Sequence, residues 1–436
     1  MASSHALSGK IVTAWGDKQL NKTTRNIFGL AILILVLVYY YHAVTVIWDS
    51  PNDTQWDFRI YYYAGEAYDQ GWDPYIRDNL ILVSEEDFWL RFVYPPLTLE
   101  FLRFLPQVDY ETGCKIWLVL KILTLVAMVF VWKRYFLRDT SLLLIIPIML
   151  FVFDSAVFWD LKTGNISIFE QLLLWLGFAA FLTRRKALFI LLILAGSIFK
   201  FPLALFMFLL ITTKDSRKWW WLAGGLSCMA ILVSANYFLR PELFQSFMNN
   251  LQYLNERAAD YNYSTLAFWE ELFVSIKFTR DLDFRMYLVY FSYALTVFAV
   301  VLISTRSYFR LRKRGGVNHS VFIILFFCCS YAMVVPRLKS YSFIILIPAF
   351  LYLLSSVRTH RFAYLIIPLG LIPVSTPLFE AEMVMRFFHY YPLLLTFFIW
   401  LYFNSICYEP ASVNDSLDHA GENKQTSEGS SSQGLT

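Results

Sequence analysis

Asp57-Phe58-Arg59-Ile60-Tyr61-Tyr62-Tyr63-Ala64-Gly65, continued by Gly71, Asp73-Pro74-Tyr75 and Tyr94-Pro95-Pro96-Leu97, follows the first long apolar run of the chain. An acidic residue among aromatics at that point stands where a chain leaves a bilayer, because tyrosine and tryptophan gather at membrane–water interfaces. If Asp57 opens a helix, Tyr61 lies one turn on along the same face, and Ala64 and Gly65 leave room for close approach of a second element. The expectation is a carboxylate held at the lipid surface beside stacking platforms. The plainer alternative is that Asp57 caps a short interfacial helix.

The rest of the chain supports a membrane setting. Of 436 residues, 58% are hydrophobic and only 16% charged, with a mean hydropathy of +0.50, and one water-soluble core cannot hide that much apolar surface. A net charge of +4 is too small to argue for nucleic acid, and the basic residues fall in short clusters between apolar segments. Aromatic residues make up 19%, which suits interfacial belts and also sugar or isoprenoid contacts. Cys114, Cys228, Cys328, Cys329 and Cys407 form no CxxC pair and have no histidine at ligand spacing. They indicate neither a disulfide framework nor zinc.

Basic clusters set the topology. Residues 1–25 carry Lys10, Lys18, Lys22 and Arg25 and are expected in the cytoplasm, followed by an uncleaved anchor over 27–48 that sends Asp57 outside. A long first outer loop contains an apolar piece at 95–105, too short to cross and expected to be re-entrant or interfacial. Spans over 115–132, 142–158 and 166–182 then place Asp160 and Gly164-Asn165 at the outer surface. Residues 187–212 are flanked on both sides by basic clusters and interrupted by Lys200-Phe201-Pro202. A single crossing cannot satisfy both flanks; a broken hairpin with Lys200 at its outward tip does.

Further spans over 219–238, 286–304, 321–335 and 343–356 enclose an outer loop at 240–285 and the strip Pro336-Arg337-Leu338-Lys339-Ser340-Tyr341. A short span from Phe362 leads to an outer loop with Glu380, Glu382, Arg386 and His389, and the last span ends near Cys407. The expected fold is an all-α polytopic membrane protein: a helical bundle over 26–408 with about ten spans plus partial hairpins, and a disordered cytoplasmic tail at 409–436.

Drawn this way, Asp57, Tyr94, Asn165, Lys200, Arg337, Lys339, Tyr341 and His389 all reach one side of the membrane. Ionisable groups at one membrane level are costly unless a partner or ligand meets them. A carboxylate beside lysine and arginine at headgroup level suits a lipid-phosphate donor whose phosphate is the leaving group. Cations stabilise that anion without a general acid, while the attacking hydroxyl needs a base, for which Asp57 is the candidate. Direct attack at the anomeric carbon inverts its configuration. Lys200 is the clearest cation, with snorkelling as its alternative. Arg337 grips phosphate as a fork and Lys339 as a point charge; Tyr341 donates a hydrogen bond or belongs to the belt, and His389 reads best as a satisfied interfacial histidine. Asp281-Leu282-Asp283 has the DxD form of metal-dependent sugar-nucleotide enzymes, but so short a pattern arises readily in loops, and neither metal nor cofactor is expected. The triplets at Asn52, Asn165 and Asn262 match the N-glycosylation acceptor pattern.

The order of these motifs resembles that of polyprenyl-phosphate-dependent glycosyltransferases, nearest to family 87 of the GT-C type, mannosyl- and arabinosyltransferases that use lipid-linked sugars. Asp57-Phe58 through Tyr94-Pro95-Pro96-Leu97 resembles their first outer loop, Gly164-Asn165 their Gly-Gln or Gly-Asn turn, Lys200-Phe201-Pro202 their Lys-x-Pro, and Pro336 to Tyr341 their late loop motif. The resemblance implies a GT-C-like bundle and transfer of mannose, or another hexose or pentose, from a polyprenyl-phosphate sugar to a lipid or glycan acceptor of the cell envelope. It places that transfer at the outer face of the cell membrane, with Asp57 as base, Lys200, Arg337, Lys339 and Tyr341 on the donor phosphate, and Tyr61, Tyr94, Asn165 and His389 on substrate. Many relatives carry Ser-Trp with histidines where this chain has Lys339 and Tyr341, so the sugar stays open. A transporter or lipid-linked glycan flippase is the main rival, although no inverted repeat is evident and the polar residues gather at one face rather than the midplane.

Overall fold

The computed structural model describes residues 22–85, 90–251, 262–277, 281–314, 319–356 and 389–408. Residues 1–21 of the expected cytoplasmic start, the span from Phe362, the loop with Glu380, Glu382 and Arg386, and the tail at 409–436 lie outside the described residues, while residues 22–25 belong to the first helix. Within them the protein is helical, without a β-strand beyond one antiparallel bridge between Asn262 and Lys339.

In chain order the α-helices are α1 (Lys22–Asp49), α2 (Trp56–Asp69), α3 (Arg77–Ser84), α4 (Leu99–Leu102), α5 (Tyr110–Tyr135), α6 (Leu142–Thr163), α7 (Ser167–Leu182) and α8 (Lys186–Ser197). They continue with α9 (Lys218–Leu239), α10 (Pro241–Leu251), α11 (Thr265–Ser275), α12 (Leu282–Arg314), α13 (His319–Val334), α14 (Ile347–Ser356) and α15 (Tyr391–Ile406). Five of them, α1, α5, α6, α9 and α12, contain stretches long and apolar enough to cross a membrane. Others, such as α7 and α15, are apolar but only 16 residues long, about 24 Å of helix against a hydrocarbon core of about 30 Å. Part of the expected set of full spans is therefore made of shorter helices packed inside the bundle.

The broken hairpin forms as its flanking charges require. α8 runs from Lys186, the chain turns at Lys200 in extended conformation, and Phe201–Thr212 returns as a 3₁₀-helix with Pro202 in its first turn. Lys186 and Asp215 form an ion pair that ties the two ends together. Twelve residues of 3₁₀-helix rise about 24 Å, where an α-helix would rise about 18 Å, so the returning arm covers more depth than its α-helical counterpart. Aromatic contacts bind this arm to its neighbours: Phe206 meets Phe178 of α7 at 5.1 Å and Tyr331 of α13 at 4.7 Å, and next to Phe178 the rings of Trp175 and Trp132 of α5 meet edge-on at 5.8 Å.

The first loop packs as its small residues suggest. A Cβ at Gly65 would lie 2.3 Å from the Leu102 carbonyl oxygen, so α2 rests directly on α4. The apolar piece at 95–105 forms two short 3₁₀ turns around α4, with Leu99 and Leu102 buried beneath α2. α6 departs from expectation in two ways. Its backbone breaks at 152–155, where Phe153, Asp154 and Ser155 have positive φ and the Asp154 N–H donates to the Tyr391 hydroxyl. It also continues to Thr163, so Asp160 does not surface: the carboxylate is fully buried against Lys121.

Candidate active site

Asp57 lies in the first turn of α2, and the N-cap position belongs to Gln55. The capping alternative therefore does not describe it. A helix N-terminus favours an anion there, and the carboxylate Oδ2 accepts from Asn165 Nδ2 at 2.8 Å. The same Asn165 amide donates to the Tyr61 hydroxyl at 3.1 Å and reaches that of Tyr94 at 3.5 Å, while the two tyrosine hydroxyls are 2.8 Å apart. Four residues from three separate motifs thus form one polar cluster, and the spacing of Asp57 and Tyr61 puts both on its face of the helix.

Gly164 makes this meeting possible. It closes α6 at φ +72°, a conformation glycine adopts without steric cost, and a Cβ there would stand 2.8 Å from Phe58 Cβ. Any larger residue would push the turn away from α2. Below it, Lys121 Nζ pairs with Asp160 Oδ1 at 2.6 Å and donates to the carbonyls of Asp160 and Asn165 at 2.5 and 2.6 Å. Both side chains are 0% exposed. One buried ammonium therefore binds the last turn of α6 to the backbone of Asn165, and so fixes the amide that faces Asp57.

Lys200 enters from the hairpin tip. Its ammonium donates to Ser167 Oγ at 2.5 Å, pairs with Glu170 Oε2 at 2.8 Å, and lies 5.6 Å from the centre of the Tyr341 ring. The strip from 336 to 341 completes the cluster. Arg337 and Lys339 stand close enough to Asp57 to stabilise its anion, and Tyr341 close enough to Tyr61 to interact with it. Burial raises the Asp57 carboxyl above the usual carboxylate range, opposed by the Asn165 hydrogen bond and by the charges of Lys339, Lys121 and Arg337. Burial likewise raises the Tyr61 and Tyr94 hydroxyls, which remain protonated donors at neutral pH.

The strip is clamped from the second loop. Tyr263 N–H donates to the Leu338 carbonyl at 2.8 Å, Leu338 N–H to Asn262 Oδ1 at 3.0 Å, and Ser264 Oγ to the Pro336 carbonyl at 2.6 Å. His389 stacks on Tyr263, with parallel rings 6.4 Å apart. Its imidazole is lowered by burial, against an opposing influence of Glu271, and it buttresses the clamp rather than the Asp57 cluster. Asn165 and Asn262 are both buried and hydrogen-bonded, which leaves only Asn52 of the three triplets on the surface. Asp281 caps α12 by accepting from the N–H groups of Asp283 and Phe284. Among the described residues, no three His, Cys, Asp or Glu side chains gather as metal ligands.

Sequence reasoning missed Lys121, Glu170 and Ser167 and misplaced Asp160. The available signal was the one that singled out Lys200: a lone charge inside an apolar run. Lys121 and Glu170 each interrupt such a run.

The model of glycosyltransferase family 87 matches residues 92–336, a stretch that includes Tyr94, Asn165 and Lys200 and lies between Asp57 on one side and Arg337 on the other. No curated protein and no solved structure matches the chain. The family match covers more than half of a polytopic helical protein, and on that ground the chain belongs to glycosyltransferase family 87 and is a membrane glycosyltransferase.

Proposed function

We propose that this protein transfers a sugar from a polyprenyl-phosphate donor to a hydroxyl of a lipid or glycan acceptor, with inversion, at the extracytoplasmic face of the cell membrane. The observation that carries this reading is one carboxylate, Asp57, that senses the charges of Arg337 and Lys339, while Lys200 bonds to Ser167, two residues from the Asn165 that holds Asp57. Asp57 takes the proton of the acceptor hydroxyl as its oxygen bonds to the anomeric carbon. The bond from that carbon to the phosphate oxygen breaks, and its electron pair stays on the phosphate, turning a diester monoanion into a monoester dianion. The added charge develops where the ammonium and guanidinium groups stand, so stabilising it requires no proton donor.

An apolar groove supports a lipid-linked donor. It has a volume of about 380 Å³ and is lined by Phe201, Pro202, Leu205, Phe208, Leu226 and Pro336 among others; Phe201 and Pro336 are the chain neighbours of Lys200 and Arg337. An isoprenoid lying along it would bring its phosphate to those cations. The basic residues Arg184 to Lys186, Lys214 to Lys218 and Arg306 to Arg314 end the helices that lead away from the site. By the positive-inside rule these ends, and with them both termini, face the cytoplasm.

The test is transfer by purified protein supplied with polyprenyl-phosphate mannose and other polyprenyl-phosphate sugars. Asp57→Ala is expected to reduce turnover at least about 10³-fold, the scale of a lost general base, with donor binding retained. Full turnover in that variant rejects the assignment of the base. Translocation of a lipid-linked sugar without any new glycosidic bond would instead support a flippase.

A further inference from the structure

Glu170 stands in the first turn of α7 with its side chain 1% exposed. Oε2 pairs with Lys200, while Oε1 makes no hydrogen bond among the described residues. Asp160, Tyr94 and Tyr331 are the other titratable groups that sense its charge. An ammonium has three N–H donors, and Lys200 directs two of them to Ser167 and Glu170. Its side chain remains 28% exposed, and the ammonium also lies over the Tyr341 ring. The phosphate-binding cation thus carries a fixed negative charge directly behind it.

We propose that Glu170 is a product-release residue, whose charge weakens the grip of the Lys200 site on the departing lipid phosphate more than on the incoming donor. This inference rests on the polyprenyl-phosphate reading above. The donor is a phosphodiester with one negative charge; the product is a monoester with a second pKa near about 6 and therefore close to two charges at pH 8. Coulomb repulsion from one fixed charge scales with the charge of the ligand. Whatever factor Glu170 removes from donor affinity, it removes the square of that factor from product affinity.

Full-length wild type and Glu170→Gln, which keeps the side-chain shape and an acceptor for Lys200, are compared at pH 8 by calorimetric binding of two probes. These are farnesyl phosphate, a dianion, and its methyl diester, a monoanion. The expected gain in the variant is about tenfold for farnesyl phosphate and about threefold for the diester, and Glu170→Asp restores the wild-type ratio. Equal gains for both probes, no gain, or weaker binding of both would reduce Glu170 to a prop for Lys200 and overturn the proposal. If neither probe binds wild type, the lipid-phosphate reading fails as well, a result distinct from any change in ratio. Glu170→Met, neutral and of similar volume, provides the same comparison if the glutamine variant does not survive extraction.

Discussion

At the residue scale the decisive interaction is the single hydrogen bond from Asn165 to Asp57. The Asp57 carboxylate, beside the Tyr61 and Tyr94 hydroxyls, is pushed toward its neutral form by burial, and Asn165 acts against that push by donating to the anion. A base works only when deprotonated, so under the proposed mechanism the acid limb of kcat/KM follows the Asp57 carboxyl. Asn165→Ala removes the donor, raises that carboxyl further and is expected to move the acid limb to higher pH, with loss of activity greatest under mildly acidic conditions. A pH–rate profile checks this: a uniformly reduced rate with an unmoved limb would mean that Asn165 only shapes the turn. Much of this cluster was legible in the sequence, because Asp57 and Tyr61 are spaced by one helical turn and Gly164-Asn165 follows an apolar run. Glu170 was marked by the apolar run it interrupts, but its pairing was not, because Lys200 reaches it only in the folded chain.

At the element scale the site depends on ion pairs and glycines that let three backbones converge. Lys121 and Asp160 join α5 to the end of α6, and the same ammonium holds the Asn165 carbonyl. Removing one member of a fully buried pair leaves the other charge uncompensated, at a cost of about 3–5 kcal/mol. Lys121→Met is therefore expected to lower thermal stability sharply. Adding Asp160→Asn should recover most of that loss, yet leave transfer impaired because Asn165 has still lost its anchor. Thermal unfolding of the purified variants, read beside their transfer rates, separates the two effects; a double variant as unstable as the single one would show that the charge pair is not what is at stake. The broken hairpin was readable from its basic flanks and from Lys200-Phe201-Pro202. The backbone break at 152–155 was not, since Phe153 stacks on Phe343 and the Asp154 N–H meets Tyr391, both distant in sequence.

At the scale of the whole molecule, charge distribution and geometry bear on the same question from independent directions. Basic clusters alone assigned Asp57, Asn165, Lys200 and the strip from 336 to 341 to one side, and the folded chain brings those four segments into one cluster. Segments drawn from opposite sides of a bilayer could not meet in this way without a long re-entrant path. The remaining step is which side of the membrane that is. Asn52 is exposed, three residues before Gln55 at the start of α2, and Lys214 is exposed at the base of the hairpin, beyond the opposite end of its arms. In a variant whose native cysteines are replaced, Asn52→Cys is expected to react with a membrane-impermeant maleimide in intact cells. Lys214→Cys should react only after the membrane is opened. The reverse pattern would place the transfer on the cytoplasmic face, and with it a different pool of sugar donors.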